Sequence, residues 1–279
     1  MNNGEFTQLA PVRRTVNRLP LELLEIILCT FGEDDEQMLR VRVCRRWWHV
    51  IMDFRRRNKM TLQFYTPIAV GLRSMPLAIW SHGHGMPLTT RTSEVAAENG
   101  NLAILQWLRA NGCPWDEGTC SIAAKNGHLQ ILAWAQINEC PWSERTCASA
   151  AQGGDLAILQ WARANGCPWD ESTCAYAALN GHLAVLQWAR ENGCHWDEWT
   201  CAYAAQNGNL AVLQWARGVS DPCPWDVWTC SAAAGNGHLA VLQWARANGC
   251  PWNEWTCEIA VEYGRYDVLK WAIDNGCPE

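Results

Sequence analysis

Apolar and polar residues follow a pattern along most of this chain that returns every 27 residues. Each period contains a short segment with small residues at its centre, such as residues 120–125, and then a longer apolar segment, such as residues 129–138. In the longer segment, positions 129, 131, 132, 134 and 135 are apolar, which is wider than the stripe of a helix that packs on one side only. The pattern predicts two helices per period, the second of them sandwiched between neighbouring periods.

The residues that flank these segments indicate where each helix begins and ends. We expect Thr119 to cap the first helix, because its hydroxyl can accept a hydrogen bond from a free amide of the first turn. Asp116, just upstream, suits the positive end of the helix dipole, and Asn126-Gly127 supplies a left-handed turn that ends the helix. In the preceding period Gly112 ends the second helix and Pro114 prevents its continuation. Each period therefore reads helix–turn–helix–turn, and no run predicts a strand.

The period is regular enough to count seven units between Gly100 and Gly264. The turn cysteine and the Leu-Gln-Trp tryptophan recur at steps of 27 residues, except for one step of 29 where residues 219–222 insert two. Trp80 lies 27 residues before Trp107, so residues 75–84 are interpreted as a degenerate second helix that caps the array. A fixed period of about 20–50 residues is typical of a stacked solenoid, here all-α, whose units contact their neighbours and present an extended binding surface.

These units resemble ankyrin repeats. The matching features are the threonine at the first helix, the Ala-Ala pair, the Asn-Gly-His-Leu segments such as residues 126–129 and 236–239, and the closing Asn-Gly. An ankyrin unit has about 33 residues, and most of the deficit falls between Gly112 and Thr119, where the β-hairpin finger would lie. The resemblance covers residues 66–279 and implies ankyrin-like helix pairs with truncated fingers.

A second pattern precedes the repeats. From Leu19 to Leu28 the apolar residues recur on one helical face, and Pro20 suits a first helical turn. About 40 residues cannot form a self-sufficient core, so some of this apolar surface should face a partner or the solenoid. The order Leu-Pro, Glu-Leu-Leu, Ile-Leu and Val-Cys-Arg-x-Trp over residues 19–47 resembles an F-box, with one extra residue in the loop 32–35.

The F-box resemblance implies docking onto the Skp adaptor of a cullin–RING ubiquitin ligase, while the repeats hold a target protein. The residues that it assigns largely to the adaptor surface are Leu19, Pro20, Leu23, Leu24, Ile27 and Leu28. Those shared between adaptor contact and internal packing are Val43, Cys44 and Trp47. The alternative is that residues 19–54 merely cap the solenoid. The predicted organisation is a flexible N-terminus over 1–17, an F-box-like domain over 18–60 and the solenoid over 61–279.

The combination of an F-box with short Cys-Pro-Trp repeats also resembles proteins encoded in numbers by giant DNA viruses of amoebae. That resemblance would make the Skp adaptor and the cullin ligase host proteins, and would place this chain in the host cytoplasm, with the nucleus as the alternative. The first residues, Met1 to Phe6, lack a charged-then-apolar leader, and nowhere do about 18 apolar residues run together. We therefore expect an intracellular protein with no membrane partner.

The charge distribution argues against a nucleic-acid partner for the repeats. Residues 1–60 carry 11 Lys and Arg against 8 Asp and Glu, whereas residues 61–279 carry 11 against 20. An acidic surface repels the phosphate backbone that dominates nucleic-acid affinity. The expected partner of the solenoid is a protein.

Thirteen of the 15 cysteines belong to the repeat and form two series, exemplified by Cys113 and Cys120. A zinc site needs tight Cys-x2-Cys or Cys/His spacing, which is absent, and the recurring His128 is replaced by asparagine or aspartate in other units. Cysteine packs readily as a small buried side chain. We expect structural thiols and no cofactor, the alternatives being some disulfides or a bound metal.

The tryptophans fall into two classes. The seven in Leu-Gln-Trp-type segments and the six in turns recur in every unit, so we expect core ladders. Three others directly precede the threonine, at a position that holds glycine, arginine and serine in earlier units. A position that varies while its neighbours do not is expected at the surface, where aromatics in a row are typical binding anchors. The predicted target-binding residues are Tyr176, Trp199, Tyr203, Trp228 and Trp255. Extra packing in the C-terminal half is the alternative.

No motif of an enzyme is present. A Gly-rich phosphate loop, a His-Glu-x-x-His segment and a nucleophile elbow are all missing from the sequence. We therefore expect a substrate-recognition subunit that catalyses nothing itself. The alternative is a scaffold or inhibitor that sequesters a partner without ubiquitylation, and a metal- or redox-binding module is a more distant one.

Overall fold

A computed structural model describes residues 75–83 and 87–278, and all of its regular structure within these ranges is helical. Helix α1, Met75–Gly83, matches the predicted degenerate helix and belongs to a compact unit of its own. A second compact unit, Leu88–Glu279, holds the remaining described helices. The predicted F-box-like domain and the segments flanking it lie outside the described residues. Within the described part, no helix is both long and apolar enough to span a bilayer.

The second compact unit consists of helix pairs, here called repeat units, each with a first and a second helix. The first helices are α2 Thr90–Glu98, α4 Glu117–Lys125, α6 Glu144–Gly153, α8 Glu171–Leu179, α10 Glu198–Gln206, α12 Val227–Gly235 and α14 Glu254–Glu262. The second helices are α3 Leu102–Ala110, α5 Leu129–Ile137, α7 Leu156–Ala164, α9 Leu183–Glu191, α11 Leu210–Gly218, α13 Leu239–Ala247 and α15 Tyr266–Asp274. The predicted helix–turn–helix solenoid is confirmed.

The first helices begin earlier than predicted, and the threonine at the Thr119 position does not cap them. Asp116 is the N-cap of α4, in an extended conformation, and its side chain accepts a hydrogen bond from the Gly118 amide at 3.0 Å. Thr119 lies inside the first turn and is fully buried, and its amide bonds to the Asp116 carbonyl at 3.1 Å. The predicted threonine cap is therefore wrong. The extended Cys-Pro-Trp turn delivers the acidic residue, three positions earlier, to the cap.

The stack is built from small residues on one side and larger apolar residues on the other. Consecutive first helices pack directly on one another, whereas consecutive second helices touch far less. Ala123 and Ala124 of α4 are fully buried between neighbouring first helices, as expected for side chains that permit close approach. In the second helix α5, Ile131 and Leu132 are buried instead. These layers form the hydrophobic core.

The turn cysteines tie the two ends of each unit together. The Cys140 thiol donates to the carbonyl of Asp116, the N-cap residue of its own unit, with a sulfur–oxygen distance of 3.4 Å. The same bond recurs from Cys113 to Thr89, from Cys167 to Ser143, from Cys194 to Asp170, from Cys223 to Asp197, from Cys250 to Asp226 and from Cys277 to Asn253. Every cysteine in the described part is buried and free, which confirms the predicted packing role.

A second link joins most units to the one before. The residue that precedes a second helix reaches back to a carbonyl at the end of the previous first helix; His182 Nε2, for example, lies 3.2 Å from the Gln152 carbonyl. Asn209 makes the equivalent bond to the Leu179 carbonyl at 2.8 Å. Because the last carbonyls of a helix lack partners within it, either side chain serves. Histidine, asparagine and arginine can all make this link, whereas Asp155 has no N–H to donate, so its unit lacks the link and the carboxylate accepts from a backbone amide of its own helix at 3.1 Å.

Candidate functional site

Twelve tryptophans form six ring pairs along the turns and second helices. Each turn tryptophan meets a second-helix tryptophan edge to face, with ring centroids 5.5 Å apart for Trp115 and Trp134. The other pairs are Trp142–Trp161, Trp169–Trp188, Trp196–Trp215, Trp225–Trp244 and Trp252–Trp271. The predicted ladders are confirmed, but their members are only half-buried rather than core residues. Their rings remain accessible to a charged neighbour.

That neighbour is an arginine of the preceding second helix. The Arg190 guanidinium lies 4.0 Å from the centroid of the Trp196 ring and donates to the Cys194 carbonyl at 2.6 Å. The same contact, at 4.1–4.2 Å, joins Arg109 to Trp115, Arg163 to Trp169, Arg217 to Trp225 and Arg246 to Trp252. Five of the chain's arginines are thus engaged with rings of the ladder.

The three tryptophans that differ from this ladder lie on the first helices. Each is the second residue of its helix, in α10, α12 and α14. Trp199, Trp228 and Trp255 are 45%, 41% and 42% exposed, so their predicted surface position is confirmed. A buried threonine fixes the first turn of each helix, and in α12 the N-cap Asp226 also accepts a hydrogen bond from the Trp228 amide at 3.0 Å, while the second position points away from the stack. These rings therefore offer apolar area to a partner.

The predicted binding residues form two groups rather than an even row. Trp228 and Trp255 lie with ring centroids 5.3 Å apart, much closer than the helix spacing of about 10 Å would place them. Trp199 leans instead onto Tyr203 at 5.8 Å, and Tyr203 contacts Tyr176 at 6.2 Å. The expected regular spacing is wrong because the side chains tilt along the surface, and the tilt opens a gap between the two groups.

That gap is a groove across α10, α12 and α14 with a volume of about 510 Å³. Trp199 and Tyr203 line it from α10, Trp228 lines it from α12, and Ile259 and Tyr263 line it from α14 and its C-cap. Of the five predicted residues, the other two, Tyr176 and Trp255, contact its lining rings without lining the groove themselves. We call this feature the aromatic groove.

Small residues on the middle helix create the groove, and the sequence reasoning missed them. Where α10 carries Tyr203 and Gln206, the equivalent residues of α12 are Ala232 and Gly235, both lining the groove. A Cβ added at Gly235 would lie 2.5 Å from Ile259 Cγ2, so glycine also lets that side chain approach. The sequence does contain a signal for the groove: small residues replace large ones at equivalent positions of the repeat.

The first helices around the groove carry negative charge only. The sequences of α8, α10, α12 and α14 contain no Lys or Arg, and their acidic residues are Glu171, Glu198, Glu254, Glu258 and Glu262. None of the ion pairs found within the described residues involves these five glutamates. Burial raises the pKa of Asp197, the N-cap of α10, and the charge of Glu198 raises it further. Of these carboxylates, Glu262 lines the groove itself.

The described part of the chain holds no group of side chains that could bind a metal ion. No cluster of three or more His, Cys, Asp or Glu side chains within residues 75–83 and 87–278 is arranged to hold an ion. Burial, and then the neighbouring Cys257 thiol, raise the pKa of Cys277 to about 12. At neutral pH this thiol is protonated, whereas a nucleophilic cysteine must be a thiolate.

Comparisons with known proteins add little to this geometry. No protein-family model matches the chain, and no curated protein matches it. Among solved structures, the chain is similar to the ankyrin repeat domain of human ASB11, at 17% sequence identity and a TM-score of 0.45. That alignment covers 57% of this chain and 84% of the other. The fold assignment rests on the helix pairs of the chain itself.

Proposed function

We propose that this protein binds another protein through the aromatic groove and presents it to a ubiquitin ligase. The observation that carries the first half is the groove itself, with three exposed tryptophans on consecutive first helices. Trp and Tyr are enriched among interface residues whose loss costs the most binding energy. The stack buries most of its other apolar residues but leaves these rings at the surface, where a partner can reach them.

The second half of the proposal rests on the F-box-like sequence over residues 19–47. This segment would dock onto Skp and so connect the bound target to a cullin–RING ligase. The protein then needs no chemistry of its own, because holding two partners at once raises their effective concentration. A scaffold that sequesters its partner would use the same groove without recruiting the ligase.

Capture of tagged full-length protein from the host cell, followed by mass spectrometry, tests both halves. We expect the Leu19→Ala/Pro20→Ala double variant to lose Skp and cullin while it retains the target and its thermal unfolding. Trp228→Ala should lose the target and retain Skp. If the wild type captures a groove-dependent target but never Skp or cullin, the sequestering scaffold replaces the adaptor.

A matched control separates the groove from exposed apolar surface in general. Ile137 is 76% exposed on α5, outside the groove. Ile137→Ala should leave capture of the target unchanged. A target that is lost equally with Ile137→Ala and Trp228→Ala is bound by unspecific apolar contact, and that result contradicts the proposal.

A further inference from the structure

We propose that the groove takes an extended, arginine-bearing segment of its protein partner, whose guanidinium groups stack on the groove's tryptophan and tyrosine rings and face its glutamates. This inference rests on the proposed function, because it names the chemistry of the segment that fills the same groove. Three observations support it: no cation within the described residues stacks on the groove's tryptophan rings, the surrounding helices are acidic, and the length of the groove suits an extended chain.

The rings of the groove lack the arginine that the other tryptophans have. In five turns the guanidinium lies 4.0–4.2 Å from the centroid of a tryptophan ring. Tryptophan is the best aromatic partner for a cation, and arginine is the commoner cation in such pairs. None of the cation–ring contacts among the described residues involves Trp199 or Trp228, and the first helices around the groove contain no Lys or Arg. A partner's arginine would complete at the groove the contact that the molecule makes internally elsewhere.

The charges around the groove favour the same occupant. Glu262 lies in the lining, and the nearby first helices add four more glutamates without a basic residue. Arg265 follows the end of α14, and its Nε already donates to the Gly235 carbonyl at 3.1 Å. An acidic segment would meet like charge on these helices, and a purely apolar one would leave the glutamates without partners. An arginine satisfies both ring and carboxylate, because its plane stacks while its edge donates hydrogen bonds.

The shape of the groove suits a chain in extended conformation. It crosses three consecutive first helices, a span of about 20 Å at a helix spacing of about 10 Å. An extended strand advances about 3.3 Å per residue, so about six residues fill it. Ala232, at the position where α10 carries Tyr203, leaves room for a main chain, and the exposed Gln206 amide lies in the lining, where it can bond to that main chain. Arginines at alternate positions would then face the rings.

Fluorescence anisotropy with a labelled peptide in which arginine alternates with glycine and leucine tests the inference on the full-length protein. The matched probes replace arginine by citrulline, which has the same shape without the charge, or by lysine, which keeps the charge without the plane. We expect the arginine peptide to bind at least tenfold more tightly than the citrulline peptide and several-fold more tightly than the lysine peptide. Its affinity should fall as salt concentration rises.

Variants place the binding in the groove rather than on the acidic surface at large. Ala232→Tyr restores the tyrosine that α10 carries at this position and should fill the groove, with at least a tenfold loss of peptide affinity. Glu262→Gln should weaken binding several-fold. Glu144→Gln removes the same charge from the first helix α6 and should change nothing.

Equal affinity for arginine and citrulline peptides overturns the inference, as does arginine binding that Ala232→Tyr leaves unchanged. The two proposals fail separately. If Trp228→Ala abolishes capture of the cellular target while arginine peptides do not bind, the groove is a protein site for a different segment. If arginine peptides bind in the groove but target capture is insensitive to Trp228→Ala, the proposed function is wrong and the ligand chemistry stands.

Discussion

The first helices of the N-terminal and C-terminal units have the same backbone structure but carry different side chains at the surface. At the second position of the helix, α2 and α6 carry Arg91 and Arg145, whereas α10 and α12 carry Trp199 and Trp228. Arg91 pairs with Glu94 at 3.0 Å, and Arg145 reaches Glu117 of the preceding unit at 3.4 Å. The two N-terminal arginines thus pair with nearby carboxylates, whereas the rings of the C-terminal tryptophans contact other aromatic rings, and the glutamates of their helices take part in no ion pair within the described residues.

This difference teaches where a repeat protein can acquire a binding site. Exposed ion pairs such as Arg145–Glu117 contribute little to stability, about 0–1 kcal/mol, so the stack does not depend on them. The same positions are therefore free to carry aromatic side chains without changing the fold. We therefore expect a binding surface at positions that packing leaves open, and the two halves carry different side chains at the same such position.

The largest expected effect concerns what the two halves have in common. Leu132 of α5 and Leu213 of α11 are fully buried at equivalent places in the two halves. Leu132→Ala and Leu213→Ala should each lower the free energy of unfolding by about 2–5 kcal/mol, since both leave a cavity in the stack. Chemical denaturation of each variant measures this. A much smaller loss for one of them would mean that the halves differ in packing as well as in surface.

The second largest expected effect distinguishes the surface of the C-terminal first helices from that of the N-terminal first helices. Trp228→Ala should weaken capture of the target at least tenfold, or about 2 kcal/mol of binding free energy at a hot spot, with little change in melting temperature. Arg145→Ala, at the equivalent position of the N-terminal half, should leave capture unchanged. Quantitative pull-down and thermal unfolding of both variants test this. If Trp228→Ala instead lowers the melting temperature strongly, this tryptophan is a packing residue.

A smaller effect tests the joint between the halves. Gly154 ends α6, the first helix of the third unit, with φ of +79°, and a Cβ there would lie 2.5 Å from the His182 side chain of the fourth unit. Gly166 has φ of +84° but open space around it. Gly166→Ala should cost only the left-handed backbone, about 1–2 kcal/mol, and Gly154→Ala should cost more because it also displaces the histidine. Equal losses in denaturation would mean that the histidine link is not rigid.

The smallest effect is a pH dependence at the C-terminal end. The folded state raises the pKa of Cys277 to about 12, above the value of about 8.5 in an unfolded chain. A group with a raised pKa stabilises the fold below its unfolded pKa, and this contribution is lost as the pH rises towards its folded pKa. We therefore expect the melting temperature to fall above about pH 8.5, and Cys277→Ala to flatten that fall.

The control for this experiment is a chelator at neutral pH. EDTA should leave the melting temperature unchanged, because no group of three or more His, Cys, Asp or Glu within the described residues is arranged to hold an ion. A chelator-dependent drop would show that bound metal stabilises the fold and would contradict the structural role of the cysteines.

Much of the architecture could be predicted from periodicity because stacking imposes the same demands on every unit. The Ala-Ala pairs, the buried leucines and the Asn-Gly turns recur for this reason, and the helix pairs follow from them. The N-cap could not be settled in this way. Asp116 and Thr119 are both good caps, and only the path of the turn decides which one meets the free amides.

For the site, the sequence by itself determined which aromatics lie outside the stack, because positions that vary within a repeat are those that packing does not constrain. The tertiary structure decided how those aromatics combine. Trp228 tilts onto Trp255 and Trp199 onto Tyr203, and the space between them opens over Ala232 and Gly235. The groove is lined by side chains from three helices, and more than 50 residues separate Trp199 from Ile259 in the sequence. The repeat pattern shows which residues recur, but it does not show the direction in which each side chain points.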